Sequence, residues 1–274
     1  MNDRRRKWLI AVAIAVLAVV PLHMLRRAFI ADSFVSRGFS MEPTVYDGTK
    51  VYVNKLKMGA RIYTSFDFDS HILKSFRMPG FSDLKVGDLV VANYPYPYSN
   101  DTIGFKMNYV YLKRCIGVPG DTLRIIDGYY ANSSVAGRIG DAASQSSLSR
   151  MSDEDVAAAG FVNNAFQQDK SQRWTIRNFG PLYIPGKGDV VKITPDNVRI
   201  WRKMIMFETG FMPQVADNGE ILLDGMVLTE YKFRTDWYFL GGDNVLDSRD
   251  SRYIGLFPES YIVGVVDMPR IFRN

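Results

Sequence analysis

The sequence predicts a mainly β protein, an antiparallel β-sheet domain with an inserted α+β subdomain, preceded by one N-terminal transmembrane helix. Three observations carry that expectation. From Trp8 to Leu25 the chain is apolar apart from Pro21 and His23, long enough for a slightly short membrane span at ~1.5 Å per residue. Four later stretches, "YDGTKVYVNK", "KVGDLVVANYP", "PGDTLRIIDG" and "KGDVVKITPD", set a Gly–Asp or Asp–Gly turn beside a strand-length run of Val, Ile, Leu and Tyr. Residues 141–168 then turn Ser-rich and polar, which interrupts the β texture. With 274 residues, 47% of them hydrophobic, the chain can bury one large domain or two moderate ones.

Residues 1–30 read as a cytoplasmic tip and a membrane anchor. A cleaved secretory signal is the alternative, but its apolar region is usually ~7–15 residues, and no Ala-x-Ala follows before Arg37. Arg4, Arg5, Arg6 and Lys7 outweigh Arg26 and Arg27, which places the N-terminus in the cytoplasm and the remainder outside.

Residues 31–122 and 235–274 form the expected β domain, its turn-and-strand units read as independent hairpins with spacings too irregular for a repeat. "RIYTSFDFDSHILKSFRMPGF" carries Tyr63, Phe66, Phe68, Phe76, Met78 and Phe81 among charges. It reads as a strand pair covering the core or as a face resting in the membrane interface. Residues 123–234 form the inserted subdomain. "SDEDVAAA" has the form of a capped helix start, and Thr194, Pro195 and Asp196 signal the start of a second helix in "TPDNVRIWRKMIMFE".

The net charge of +5 is mild and its one basic run flanks the apolar segment, so no nucleic-acid partner is expected. One Cys excludes an intrachain disulfide, and one Cys with two His disfavours the usual zinc sites. A calcium loop from Asp243, Asn244, Asp247 and Asp250 lacks the alternating acidic pattern and contains arginines. No metal and no cofactor are expected.

"RGFSMEPTVYDG" places Ser40 a few residues past the apolar segment, as a turn hydroxyl or as a nucleophile. A Ser-His-Asp arrangement needs an imidazole, yet His23 lies in the apolar helix and His71 in a polar, aromatic-flanked loop. Lysine is the other base, because burial disfavours its charged form and a neutral amine accepts a proton. Lys113 in "NYVYLKRCIGVPGD" stands in a largely apolar strand, where a charge is costly; the bland alternative is a lysine snorkelling from an edge strand. Cys115 shares its strand face and reads as a small buried hydrophobe.

Three stretches agree with one family. "SMEPT" (Ser40 to Thr44), "KRCIGVPGD" (Lys113 to Asp121) and "GDNVLDSRDSRYIG" (Gly242 to Gly255), with "KVGDLVVANYP" between the first two and an anchor ahead of the serine, resemble the type I signal peptidases. That resemblance implies a Ser/Lys-dyad serine endopeptidase that removes signal peptides from exported preproteins after small residues, single-pass in the bacterial inner membrane with its catalytic domain outside. It implies that Ser40 is the nucleophile and Lys113 the general base. Ser248 would orient the lysine amine, and the pairs Asp250–Arg252 and Arg114–Asp243 would hold the site together. The Ser40 N–H would supply an oxyanion donor, while Gly38 stands where some relatives place a second, hydroxyl donor. Phe34, Met41, Tyr111 and Leu112 would line the substrate pockets, with polar Ser36 at an often aliphatic position. The implied partners are preprotein signal peptides and the lipid bilayer, and a monomer is expected.

Two other readings share part of this pattern. A dedicated processing peptidase of a specialised secretion or conjugation system would use a similar dyad. An inactive membrane-bound β domain would only bind exported chains. A self-cleaving Ser/Lys repressor is disfavoured by the anchor and by the lack of a DNA-binding segment.

Overall fold

The structure is a computed structural model and describes residues 3–65, 71–159 and 174–267. Helix α1 (Asp3–Leu25) passes into a π-helical turn (Arg26–Ile30). Residues Arg4–Ile30 are long and apolar enough to cross a membrane, and none of that span is buried within the protein. The helix therefore starts earlier than the apolar run from Trp8, taking in the basic cluster.

The strands follow in chain order as β1 (Ala31–Val35), β2 (Lys50–Asn54), β3 (Arg61–Tyr63), β4 (Ser75–Arg77), β5 (Leu89–Asn93), β6 (Val110–Gly117), β7 (Thr122–Ile126), β8 (Tyr129–Asn132), β9 (Phe179–Tyr183), β10 (Val190–Lys192), β11 (Gln214–Val215), β12 (Ile221–Leu223), β13 (Met226–Val227), β14 (Glu230–Lys232), β15 (Trp237–Gly241), β16 (Phe257–Pro258) and β17 (Ile262–Val266). Helices α2 (Ala142–Ser149), α3 (Asp153–Ala158), α4 (Val198–Thr209) and α5 (Ser251–Ile254) interrupt them.

One seven-stranded antiparallel sheet dominates, in the order β1-β2-β17-β5-β6-β15-β16. Its interior strands β5, β15 and β17 are buried along their whole length because both faces are covered. Val90, Ala92, Tyr94, Cys115 and Leu240 pack on one face, and Met41, Val51, Leu89 and Val91 on the other. Such strands read as continuous apolar runs rather than alternating ones.

The turn-and-strand units are not all independent hairpins. The β7–β8 turn is one, since Asp127 and Gly128 both take positive φ (48° and 86°), the Asp–Gly turn that matches strand twist. By contrast, β5 pairs with β6 and distant β17, and β10 pairs with β14 some forty residues later. A Gly–Asp turn reports where a strand begins, not which strand it joins.

Between β6 and β15 the chain builds the sheet β8-β7-β9, the pair β10-β14 and the small sheet β11-β12-β13. Ser152 caps α3 with a full capping box. Helix α4 starts at Val198, because Asn197 Oδ1 turns back to accept from the Thr194 N–H (2.8 Å) and Thr-Pro-Asp-Asn forms a turn before the helix. Leu123, Phe179, Trp201 and Ile205 share one core with Ile116, Trp237 and Phe239 of the large sheet.

The aromatic stretch does form a strand pair, β3 with β4. Phe76, Met78 and Phe81 are exposed there, while Phe66 and Phe68 lie outside the described residues.

Candidate active site

Ser40 lies in the turn-rich connection from β1 to β2. Its carbonyl accepts from the Asn244 N–H (3.1 Å), and the Asn244 amide donates to the Phe39 carbonyl (3.3 Å). The segment is therefore pinned to the loop after β15. Gly242 makes this approach possible, since a Cβ there would overlap both Ser248 and the Ser40 carbonyl.

Lys113 stands in β6, an interior strand paired with β5 through Val90↔Lys113. Snorkelling from an edge strand is thereby excluded, and the side chain is only 3% exposed. Its Nζ lies 2.6 Å from Ser40 Oγ, the ammonium donating to the hydroxyl oxygen. With the amine neutral, the hydroxyl donates across the same contact. Burial pushes the lysine down to about 8; Asp250 opposes that shift, Arg252 adds to it, and Asp243 and Asp247 oppose it more weakly. The Tyr111 ring lies 5.3 Å from Nζ.

Two ion pairs brace the loop that holds Ser40. Arg252 grips Asp250 with Nε (2.9 Å) and a terminal nitrogen (2.8 Å), both side chains being fully buried. Asp250 also accepts from the Gly242 N–H (2.9 Å), which fixes the close-approach glycine. Burial alone would raise its pKa, but the Arg252 guanidinium holds the carboxyl below its ordinary value. Arg114 grips Asp243 (2.7 and 2.6 Å) and reaches the Gly87 carbonyl (2.7 Å) and Thr44 Oγ1 (3.4 Å). It thus joins the β5 turn, the serine segment and the loop of residues 242–250 after β15, the closing loop.

A sequence model described as signal peptidase, peptidase S26, matches residues 5–179 and 184–271. The chain belongs to that family. Similar proteins include signal peptidase I of Bacillus licheniformis, 31% identical over 121 residues, which are 44% of this chain and 46% of the relative. Signal peptidase I P of Bacillus subtilis subsp. natto is 29% identical over 129 residues, 45% and 51% of the two chains. The chain spans about half the length of these curated relatives. A crystal structure of a signal peptidase I from Enterococcus faecalis V583 covers 68% of this chain and 98% of its own, at 16% identity and a TM-score of 0.31.

Within this member of the peptidase S26 family, Ser248 departs from the implied arrangement. Among the described residues its buried Oγ has no hydrogen-bond partner of good geometry, Lys113 included. It faces the Asp250 carboxylate, whose pKa it helps to lower. The lysine amine makes its 2.6 Å contact with Ser40 Oγ. Gly38 takes φ +82° and gives its N–H to Asp47 Oδ1 (2.8 Å), so that amide is committed elsewhere.

The four pocket candidates divide between the sheet faces. Phe34 and Leu112 pack with fully buried Met41, whereas Tyr111 lies on the opposite face, against Tyr94 (ring centroids 4.7 Å apart). Alternation along β6 requires this split, as adjacent residues of a strand face opposite ways. Ser36 is buried at the end of β1, its backbone paired to Thr49 and Gly48.

Cys115 is buried and its thiol is pushed up by burial, so it is not a thiolate nucleophile. His71 is exposed and stacks on Tyr98 at 3.7 Å. Sequence reasoning missed α2. Asp141 caps this helix, and its Ser144 hydroxyl accepts from the Val245 N–H (2.9 Å), supporting the closing loop from the insert. Asp141 three residues before Ser144 was the available signal.

Proposed function

We propose that this protein is a membrane-anchored serine endopeptidase that cleaves signal peptides from exported preproteins after small residues, with Ser40 as nucleophile and Lys113 as general base. The observation that carries the reading is the 2.6 Å contact between Ser40 Oγ and a buried amine whose pKa lies near 8. An unassisted serine hydroxyl is a weak nucleophile, and a desolvated lysine is a base matched to neutral pH.

Neutral Lys113 takes the Ser40 proton while Oγ attacks the scissile carbonyl. The resulting ammonium protonates the leaving amine, and water activated by the same lysine hydrolyses the acyl-enzyme. The Ser40 N–H faces the developing oxyanion, an interaction worth about 3–4 kcal/mol where such donors have been removed. Asp250, Arg252, Arg114 and Asp243 position the serine segment against β6. Ser248 orients the amine once Oγ has turned to substrate, its hydroxyl turning from the Asp250 carboxylate that it faces. Phe34, Met41 and Leu112 form the floor that admits small side chains, and Tyr111 flanks the amine.

The helix Arg4–Ile30 anchors the chain with its basic end in the cytoplasm, leaving the β domain of residues 31–122 and 235–274 outside. Residues 123–234 are an inserted subdomain that supports the closing loop.

In detergent, Ser40→Ala and Lys113→Ala each abolish cleavage of a preprotein ending in Ala-x-Ala, while His71→Ala and Cys115→Ala retain most activity. Normal cleavage by Lys113→Ala would overturn the mechanism.

A further inference from the structure

A groove of about 530 Å3 opens where α1 gives way to β1, walled by Met24, Arg27, Asp32, Phe34, Lys55 and Val110 among others. That volume lies within the ~300–1,000 Å3 of ordinary ligand sites. One end of the groove touches the membrane helix. The other reaches Phe34 and Val110, which pack with Met41, the neighbour of Ser40. Asp32, Phe34 and Ser36 have the same parity along the chain, so one row of side chains leads from the helix exit towards the serine.

The polar lining is cationic. Arg27, Lys55 and Arg61 share the lining with one carboxylate, Asp32. Arg61 is committed to the Ser260 carbonyl, Tyr63 and the Asn93 amide oxygen, so it contributes field rather than free donors. Arg27 engages Asp32 through Nε alone (2.8 Å) among the described residues, and its side chain is 54% exposed. Lys55 donates to the Arg27 carbonyl (2.6 Å), with Asp32 3.8 Å away. Net positive charge and unused donors thus sit above an apolar floor.

We propose that this groove receives the C-terminal end of the substrate's apolar signal helix, whose last free carbonyls are met by Arg27 and Lys55 before the chain extends towards Ser40. The inference rests on the peptidase reading and names what the site holds upstream of the scissile bond. A helix ends with four unsatisfied carbonyls and a partial negative charge, which suits cations over apolar residues. A phosphate fits less well, because Asp32 would stand beside it. The partial charge on helix carbonyls meets far weaker repulsion from Asp32 than a full phosphate charge would.

The test uses the full chain and two substrates, a preprotein with an apolar helix before Ala-x-Ala and a short peptide lacking the helix. Its readout is the ratio of kcat/KM for the first to that for the second. Arg27→Gln and Lys55→Gln are expected to lower this ratio about tenfold through KM, and Arg27→Lys to preserve it. An unchanged ratio in both glutamine variants would overturn the inference, as would equal loss on both substrates. A fall seen only in vesicles containing anionic phospholipid, and absent in neutral detergent, would overturn it in favour of a lipid phosphate. Failure of the unaltered chain to cleave either substrate would overturn the peptidase reading and this inference with it.

Discussion

Burying a lysine opposes folding only while the lysine carries its proton, and Lys113 titrates near 8 against an ordinary 10.5. The difference corresponds to about 3 kcal/mol. Below pH 8 the amine is charged in both folded and unfolded chains, so the penalty is complete. Between pH 8 and 10.5 the unfolded chain holds a proton that the folded one has lost, so stability rises with pH across that window. Lys113→Met, which fills the site without a charge, should unfold at a higher temperature than the unaltered protein at pH 7, with its advantage shrinking towards pH 10.5. An advantage constant over that window would show that the amine is not desolvated. Lys113 was legible in the sequence for the same reason: a cation amid Tyr-Val-Tyr-Leu and Cys-Ile-Gly-Val is costly unless it has a task. Ser248 was not legible, because a serine in a polar loop gives no sign of which bonds it will lack.

Among the elements, the closing loop and α5 depend on the Asp250–Arg252 pair, fully buried and joined to the Gly242 amide and the Val245 carbonyl. Removing one partner strands the other charge in the interior, at a cost of ~3–5 kcal/mol. Arg252→Met should therefore lower the melting temperature sharply, and Asp250→Leu with Arg252→Met should recover much of it. If the double variant is no more stable than the single one, the cost lies in lost packing and not in an orphaned carboxylate. Strands and helices differed in how plainly they were written. Asp127–Gly128 fixes its hairpin through two positive φ angles. Helix α4 begins just past its Thr194-Pro195-Asp196 signal because Asn197 bonds backwards to Thr194, a choice that composition does not reveal. Helix α2 escaped notice because "AASQSSLS" buries only Gln145 and Leu148, too few for a helical stripe.

At the scale of the whole molecule, the large sheet and the insert are joined through one core in which Ile116, Trp237 and Phe239 meet Trp201, Phe179 and Leu123. Antiparallel β architecture was legible from texture. The shared core was not, because a buried residue's partners lie far away in sequence. The perturbed lysine is a product of this assembly. Strand β6 is interior only because β5 and β15 flank it, and the closing loop is held by ion pairs from one side and by Ser144 of the insert from another. The pH dependence of kcat/KM therefore tests the central claim most directly, since it reports the ionisation of the free enzyme's base. Activity on an Ala-x-Ala preprotein should rise through an apparent pKa near 8 and be lost in Lys113→Ala at every pH. A limb near the ordinary lysine value of 10.5, or a profile unchanged in Lys113→Ala, would contradict a buried amine acting on Ser40.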